Sequence, residues 1–449
     1  MSEEDFDSKY RDMTETPVPS LLLRLALPAV ISNLITMLYN MADTFFIGKI
    51  STSASAAVGV ALSIQSIIQA IGFFFGQGAG NNMSRQLGKK NLKEARTLAS
   101  NGFITGFIAC ALFSVVCLVF LDPVVWALGS TETIHPYAKS YIFYILLAAP
   151  FMSSSLTLNN LLRFQGLTFY SMIGLGTGGL LNLVLDPLLI FGLDLGIAGA
   201  AIATGLSQLV SFTLLFVLME WKGSVHIRPK DFKPSLKSYR MIANGGLPSL
   251  CRQGVMSVAT IFLNTAAKPF GDAVIAAMSI VNKIGNFTNS VLLGVGQGFQ
   301  PLCGFNYGAR KFDRVREAFW FSVKLMAVFI LAVAVIEFIW ADPIVGFFRD
   351  GDPEVIEVGA RALRLRCFTM VFSVWMVMAN MFLQTTGHVV SASVLGLLRQ
   401  GLVLIPVVLI LPPLIGLQGI LLAQPIADTV SLLISIPMTL GMLRHMDEE

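Results

Sequence analysis

The sequence predicts an all-α integral membrane protein in which twelve transmembrane helices form two six-helix bundles related by a parallel repeat. Two observations lead to this prediction: the composition is strongly apolar, and the second half of the chain repeats the first. Hydrophobic residues make up 55% of the chain and charged residues 13%, and the mean hydropathy is +0.72. These values lie outside the range of soluble globular domains, so a lipid bilayer is the expected solvent.

Matching residues recur at a constant offset along the sequence. Pro28 recurs as Pro248, and this number of residues is here called the repeat spacing. Further matching pairs are Gln77 and Gln297, Gly88 and Gly308, Gly196 and Gly416, and Gly199 and Gly419. A repeat of this length is a duplicated half-protein rather than a solenoid unit. In an apolar chain, duplicated halves are typical of a transporter whose site lies between two related bundles.

Each half contains six apolar runs, and each run reaches the roughly 20 residues that a helix needs to cross a bilayer. The expected spans are 21–47, 55–78, 97–121, 137–163, 168–192, 196–220, 240–267, 273–299, 316–340, 358–384, 391–413 and 417–442. An even number of spans per half gives the two halves the same orientation. The pseudo-twofold axis therefore runs along the membrane normal.

These spans divide the chain into five segments. They are a polar N-terminal segment at 1–20, a first bundle at 21–220, a basic linker at 221–239, a second bundle at 240–442 and a tail at 443–449. The N-terminal segment is acidic, unlike the basic start of a cleavable signal peptide, so we expect the mature protein to keep the first span. The linker contains Pro229 and Pro234, and we expect a short interfacial helix in it before the seventh span.

Lysine and arginine are concentrated in loops on one side of the predicted spans, at 85–96, 222–240 and 310–316. By the positive-inside rule these loops face the cytoplasm. This places both termini in the cytoplasm and predicts a multi-pass protein of the cell (inner or plasma) membrane. Three arginines on the opposite side, at the start of the tenth span, depart from this pattern, and we expect them to cap the acidic loop before them. They are Arg361, Arg364 and Arg366.

A group of polar side chains inside the first bundle indicates function. Asp43 lies on the first span and Asp186 on the fifth, each in the half of the membrane away from the termini. Asn182 shares a helix face with Asp186, and Thr204 on the sixth span reaches a similar depth. An ionisable residue within a span costs roughly 2.5–3.5 kcal/mol on insertion scales, so its presence suggests a function by default.

Two carboxylates with an amide and a hydroxyl form a competent site for H⁺ or Na⁺. Burial and a neighbouring like charge both favour the protonated carboxyl group, and the same oxygens can coordinate a hard monovalent cation. Tyr39, four residues before Asp43, and Asn159 on the fourth span are further candidates for this site. The residue types do not choose between the two ions, and the site needs no other metal or cofactor.

The repeat provides an internal control for this group. The equivalent positions in the second half hold Leu263 for Asp43, Leu402 for Asn182, Pro406 for Asp186 and Gln424 for Thr204. Side chains needed only to pack the common fold would recur, so the group indicates a role confined to the first bundle. Two structural alternatives stay open: Asp43 bonds a helix end near the interface, and Asp186 supports the carbonyl that Pro187 leaves unpaired.

Four segments of the chain resemble the MATE family of multidrug and toxic compound extrusion transporters. They are LALPAVISNLITMLYNMADTFFIGKI, AAVGVALSI, GQGAGNNMSRQLGKKNLKEA and NLVLDPLLIFGLDLGIAGAAIATGLSQ. Within that family the chain is most similar to the DinF-like branch. The resemblance implies a V-shaped two-lobed structure, alternating access, and export of lipophilic, often cationic compounds in exchange for H⁺ or Na⁺.

The resemblance also implies roles for individual residues. The implied cation site, which would also be a Na⁺ site, consists of Asp43, Asn182, Asp186 and Thr204, with Tyr39 and Asn159 matching polar positions of the same pocket. Pro28 matches the proline at which the first helix of that branch bends. The NorM-like branch instead uses acids on helices 7 and 10. Here helix 7 carries Arg252 and helix 10 has no acid, so that second type of cation site is absent.

The second bundle carries its own charges within the spans. Arg252, Lys283 and Asp428 are expected to neutralise one another as part of the structure or of a gate. If Asp428 lacks a basic partner, it becomes a candidate contact for a cationic substrate. Trp375 and Met376 on the tenth span are further candidates for a substrate cavity, because soft and aromatic side chains adapt to varied ligands. Ordinary packing is the alternative for both.

A secondary antiporter for lipophilic or cationic small molecules is the favoured function, acting as a monomer among membrane lipids. The alternative is a lipid-linked precursor flippase of a related superfamily, which would need several cationic side chains in its cavity. An enzyme is not expected, because no catalytic or metal-ligand spacing is present and GQGAG lacks the spacing of a phosphate loop. The net charge of +4 gives no indication of a nucleic-acid partner.

Overall fold

The structure, a computed structural model, describes residues 3–348 and 352–446, apart from the side chains of Glu3, Ser257 and Asp272. The last residues of the expected tail, 447–449, lie outside the described residues. The first half contains α1 (Glu3–Glu15), α2 (Val18–Gly48), α3 (Thr52–Gly88), α4 (Leu92–Val119), α5 (Leu121–Ala127), α6 (His135–Phe164), α7 (Thr168–Pro187) and α8 (Gly196–Lys222). The second half contains α9 (Leu236–Ala267), α10 (Asp272–Gly308), α11 (Phe312–Ile339), α12 (Ala341–Phe348), α13 (Pro353–Cys367), α14 (Phe372–Thr386), α15 (Val389–Leu397), α16 (Leu404–Ile415) and α17 (Leu417–His445).

The helix bounds reproduce the sequence repeat. Helices α10 and α11 begin and end one repeat spacing after α3 and α4. Lys90 and Arg310, which follow the glycines at the ends of α3 and α10, both adopt the left-handed conformation, with φ of 58° and 57°. The second half departs from the first where the counterpart of α6 is broken, since α13 and α14 meet at an angle of 59°.

Twelve helical spans cross the membrane in the described part of the chain. Nine are long and apolar enough as continuous spans, counting α7 with its following turn and α15 with α16, and the bent pair α13–α14 provides a tenth. The other two are α9 and α10, which occupy the places of α2 and α3 in the second repeat. They are more polar because they carry Arg252 and a run of amides on α10, at Asn282, Asn286 and Asn289.

The linker between the bundles differs from the prediction. The expected interfacial helix is wrong: the segment contains a three-residue 3₁₀ turn, Pro229–Asp231, and α9 begins at Leu236, a few residues before the expected span. Pro234 has no backbone N–H to donate, which disfavours a helix through this short segment. Ser235 then caps α9, because its hydroxyl accepts a hydrogen bond from the backbone N–H of Ser238 at 3.2 Å.

The two bundles contact each other closely at the end of the molecule that carries α1 and the loops 85–96 and 310–316, here called the basic end. Gly298 on α10 lies against the backbone of Ala26 on α2, and Gly78 on α3 lies against the backbone of Ile242 on α9. A Cβ atom at either glycine would overlap with this backbone, so the crossings require glycine. Hydrogen bonds join the bundles in the same region: Arg85 to the carbonyl of Thr386 at 2.8 Å, Asn82 to that of Met241 at 2.7 Å, and Thr385 to the Asn81 amide oxygen at 2.9 Å.

The N-terminal segment, for which the sequence predicted only polar character, forms helix α1. Phe6 and Met13 are buried. Lys9 donates a hydrogen bond to the carbonyl of Lys222 at 2.6 Å, and Asp7 pairs with Lys90 at 2.8 Å, so α1 is held to the first bundle. The second bundle also donates to this segment: Asn306 to the carbonyl of Met13 at 3.0 Å, Lys311 to that of Thr14 at 3.1 Å, and Arg314 to that of Thr16 at 2.6 Å. Helix α1 therefore ties both bundles together at the basic end.

Candidate functional site

The polar group of the first bundle is organised around the end of α7. Asp186 is fully buried. Its Oδ1 accepts a hydrogen bond from the side-chain amide of Asn182 at 3.1 Å, and the same amide nitrogen lies 3.5 Å from the Thr204 hydroxyl on α8. After Pro187 the backbone continues as a π-helical turn, Leu188–Gly192. Such turns recur at functional sites, because they interrupt the regular hydrogen-bond ladder of a helix.

Helix α2 brings a second carboxyl group to this point. Asp43 interacts electrostatically with Asp186 and with Tyr39, which lies one turn earlier on α2. The ring of Tyr39 lies against Gly179 on α7, with Cδ1 2.8 Å from where a Cβ atom would stand. The structure thus brings together five of the predicted residues: Asp43, Asn182, Asp186, Thr204 and Tyr39.

Each acid retains one buried oxygen, Asp43 Oδ1 and Asp186 Oδ2, that has no hydrogen-bond partner among the described residues. An unpaired carboxylate oxygen away from water is costly, so a proton or a small cation would stabilise it. All the side chains of the group offer oxygen atoms, the ligands that a hard cation prefers. Within the described ranges, no group of three or more His, Cys, Asp or Glu side chains is arranged to hold a metal ion.

Two further polar residues belong to the group and were missed in the sequence. Tyr141 on α6 is fully buried and interacts electrostatically with Asp43 and Asp186. Its hydroxyl accepts a hydrogen bond from the side-chain amide of Gln65 on α3 at 3.2 Å. The repeat contained a signal for Gln65, because its equivalent in the second half is Gly285; its side chain is therefore also specific to the first bundle.

Asn159 does not join this group. Its amide donates to the carbonyl of Ser171 at 3.1 Å and to the Ser171 hydroxyl at 2.7 Å, near the basic end. Ser171 precedes Asp186 by about four helical turns on α7, a separation of roughly 22 Å along a helix axis. Pro28 is buried within α2, which runs as one helix from Val18 to Gly48, and it lies a similar distance from Asp43.

The charges of the second bundle pair differently from the expectation. Asp428 accepts a hydrogen bond from Arg399 Nε at 2.6 Å, whereas Arg252 donates to the Asn380 amide oxygen at 3.1 Å and Lys283 is exposed. The expected neutralisation of Asp428 by Arg252 and Lys283 is therefore wrong. Arg399 lies in a π-helical segment, Leu398–Val403, where regular α-helical spacing does not predict which way a side chain faces.

Two of the candidate cavity residues are also placed by the structure. Met376 lines a cavity of about 250 Å³ in the second bundle. Trp375 is outside the set of residues that line it and packs against Phe319 and Trp320, with ring centroids 5.6 and 5.9 Å apart. The three arginines at the start of the bent span were expected to cap the acidic loop. Arg364 pairs with Asp342 as expected, whereas the expectation is wrong for Arg366, which donates to the carbonyl of Val281.

Comparison with known proteins assigns the family. The MatE family model matches residues 28–188 and 248–410, once in each bundle, and the second match begins one repeat spacing after the first. The chain belongs to the MATE family. It is therefore a multi-pass membrane transporter, and the two matches confirm that its halves are duplicates.

Similar proteins match the MATE chain over nearly its whole length. Multidrug export protein MepA of Staphylococcus aureus (strain MSSA476) is 27% identical over 427 residues, 94% of each protein. MepA of Staphylococcus haemolyticus (strain JCSC1435) is 26% identical over 419 residues, 93% of this chain and 92% of its own.

Solved structures show the same fold. An outward-facing multidrug resistance MATE family transporter of the MOP superfamily superposes with a TM-score of 0.92 at 23% identity and covers 98% of both chains. A MOP superfamily transporter from Pyrococcus furiosus Vc1 superposes with a TM-score of 0.89 at 24% identity, over 96% of this chain and 99% of its own.

Proposed function

We propose that this MATE chain is a secondary multidrug antiporter that exports lipophilic, often cationic compounds in exchange for H⁺ or Na⁺. The observation that carries the proposal is the pair Asp43 and Asp186, in which each carboxylate has one buried oxygen without a hydrogen-bond partner in the described chain. The pair occurs in only one bundle of a duplicated fold, so packing alone does not account for it. The names of the MepA relatives support multidrug export.

The basic end is proposed to face the cytoplasm, in agreement with the positive-inside rule. Both termini are then cytoplasmic, and the chain is placed in the cell membrane. Because the bundles contact each other at the basic end, this state is closed to the cytoplasm. Asp43 and Asp186 then lie in the outer half of the membrane, where an external ion reaches them. One chain holds both bundles, so a monomer is sufficient.

The coupling follows from the charge of this site. Two neighbouring carboxylates repel each other, and a proton or Na⁺ removes much of that repulsion. The packing of α2 against α7 then changes, because Asp43 and Tyr39 lie on one helix and Asp186 and Gly179 on the other. Pro28 leaves the ladder of α2 without one hydrogen bond, so α2 bends more easily there. Nearby, Ala26 contacts Gly298 of α10. Through this contact a movement of α2 displaces the second bundle, which favours alternating access.

The proposal is tested by transport of ethidium, a fluorescent lipophilic cation, in proteoliposomes under a pH gradient or a Na⁺ gradient. Asp43→Asn should reduce gradient-driven transport to the level of empty vesicles while the protein still inserts and folds. The matched control is Asp194→Asn, because Asp194 is exposed and its left-handed backbone, with φ of 54°, accepts asparagine. Unchanged ethidium export by Asp43→Asn would refute the antiport proposal.

The flippase alternative gains one observation from the structure, namely three arginines that line the cavity of the second bundle. That cavity measures about 250 Å³, far too small for an oligosaccharide carried on a lipid. If neither gradient moves ethidium, the same vesicles are assayed for flipping of a lipid-linked pyrophosphate. Flipping without ethidium transport would replace the antiport proposal with this alternative.

A further inference from the structure

The second bundle contains a cavity lined by basic side chains, whereas the site around Asp43 and Asp186 in the first bundle is acidic. The cavity measures about 250 Å³, and Phe73 of α3 borders it from the first bundle. Its charged lining consists of Arg252 on α9, Arg366 on α13 and Arg399 in the π-helical segment. No carboxylate lines it among the residues that the structure describes.

The rest of the lining combines hydrogen-bonding amides with apolar and thioether surface. The amides include Asn282, Asn286, Asn289, Asn380 and Gln424. The thioethers are Met256, Met278, Met370 and Met376. Such a lining suits a ligand with an apolar body and a small number of polar groups.

Two of the three arginines have no carboxylate partner at ion-pair distance within the described chain. Arg252 donates to the Asn380 amide oxygen at 3.1 Å, and Arg366 donates to the carbonyl of Val281 at 3.0 Å. A guanidinium has five N–H donors, so each retains donors for a ligand. Arg399 is neutralised by Asp428 behind it. Even when Glu337, which interacts electrostatically with Arg366, is counted, the cavity keeps a net positive charge.

The repeat shows that the common fold does not require these charges. The equivalents of Arg252, Arg366 and Arg399 in the first half are Ser32, Leu146 and Gly179. The second bundle also makes room for one of the arginines, because a Cβ atom at Gly285 would overlap with the Arg366 guanidinium. An arginine inside a membrane bundle without a counter-charge is costly, so its presence is better explained by a ligand than by packing.

We propose that this cavity is a binding site for the acidic group of a small amphiphilic organic anion. Arg252 and Arg366 bind the carboxylate or sulfonate through charge-assisted hydrogen bonds, the amides orient it, and the methionines contact the apolar body. The volume favours a soluble anion over a lipid headgroup that carries acyl chains. This site is separate from the site around Asp43 and Asp186 in the first bundle. It gives the chain a second class of ligand beyond cationic compounds.

The test compares three dansyl probes on the full-length protein in nanodiscs of zwitterionic lipid, by energy transfer from tryptophan. The probes are dansylglycine, which is anionic, its neutral amide, and cationic dansylcadaverine. Dansylglycine should bind the wild type about tenfold more tightly than its amide, and Arg252→Gln or Arg366→Gln should remove that advantage. Arg252→Lys should recover part of it, because the charge is kept. Asp43→Asn should leave the binding of dansylglycine unchanged, so the outcome is independent of the antiport proposal.

The matched control is Arg361→Gln. Arg361 lies on α13 with Arg366 but is exposed and outside the cavity, so its loss should leave the binding of dansylglycine unchanged. Equal binding of the anion and its amide would overturn the proposal, and so would an equal loss in Arg361→Gln and Arg366→Gln. A second arm adds anionic lipid to the nanodiscs. Displacement of dansylglycine by that lipid from the wild type would assign the cavity to a lipid phosphate and overturn the choice of a soluble anion.

Discussion

The side chain of Asn182 links Asp186 on α7 to Thr204 on α8. Its amide donates to Asp186 at 3.1 Å and lies 3.5 Å from Thr204, so it holds one oxygen of Asp186 in place. The other oxygen, Oδ2, has no partner in the described chain. A bound proton or cation therefore meets a carboxylate whose orientation is already set.

Asn182→Ala should weaken the apparent affinity for the coupling ion about tenfold, because an unpositioned and unpaired carboxylate oxygen costs roughly 1–3 kcal/mol. The measurement is initial ethidium transport in proteoliposomes as a function of external ion concentration, with the maximal rate determined separately. Asn40→Ala is the control, since Asn40 is exposed on α2. If both variants show the wild-type ion dependence, Asn182 has no role in ion binding.

The repeat was the most informative signal for single residues. It identified Asp43, Asn182 and Asp186 as specific to the first bundle, because none has a polar counterpart at the equivalent position of the second half. The repeat did not predict which residues lie near each other. Asn159 lies on the expected helix but contacts Ser171 far from Asp186, because depth along a helix and rotation about its axis are set by packing between helices.

Helix α1 contacts both bundles outside the membrane spans. It is held to α8 through Lys9 and to the loop after α3 through Lys90, while α10 and the start of α11 bind the backbone at its end. The Asp7–Lys90 pair lowers the pKa of Asp7, mainly through the hydrogen bond from Lys90. Both partners of that pair are exposed, so we assign most of the attachment to the backbone contacts instead.

Removal of residues 3–15 should favour the state that is open at the basic end, because the bonds between α1 and the two bundles are lost. The readout is maleimide modification of Cys303, which is fully buried on α10, in a chain whose other cysteines are replaced by alanine. The modification rate should rise about tenfold, which corresponds to a shift of roughly 1.4 kcal/mol between two states. Lys90→Gln removes only the exposed pair and should change the rate less than threefold. An unchanged rate after the deletion would show that α1 does not hold the basic end closed.

At the scale of the whole molecule, the two bundles meet through helices α3 and α10, which occupy equivalent places in the repeat. Ser84 on α3 lies against Gly304 on α10, and Ser84 Cβ is 3.0 Å from the position of a Cβ atom at residue 304. Disulfides have Cβ–Cβ distances of about 3.5–4.5 Å, so a small adjustment allows a bond between cysteines at these positions.

In a chain without its native cysteines, Ser84→Cys with Gly304→Cys should stop transport when oxidised and recover it when reduced. The disulfide joins the bundles at the basic end, and alternating access requires them to separate there. The assay is ethidium transport before and after treatment with a reducing agent, and oxidised Ser84→Cys alone is the control. Full transport by the oxidised, cross-linked protein would rule out separation of the bundles at this point.

The sequence by itself determined the membrane class, the duplicated bundles, the location of the spans and the acids that belong to one bundle only. These properties depend on local composition and on a comparison of the chain with itself. Only the tertiary structure decided that Arg399 pairs with Asp428 and that Tyr141 and Gln65 lie near Asp43 and Asp186. It also decided that Arg252 and Arg366 line one cavity and that α1 contacts both bundles. Each of these contacts joins residues on different helices, and it depends on the rotation and depth of each helix, which hydropathy does not specify.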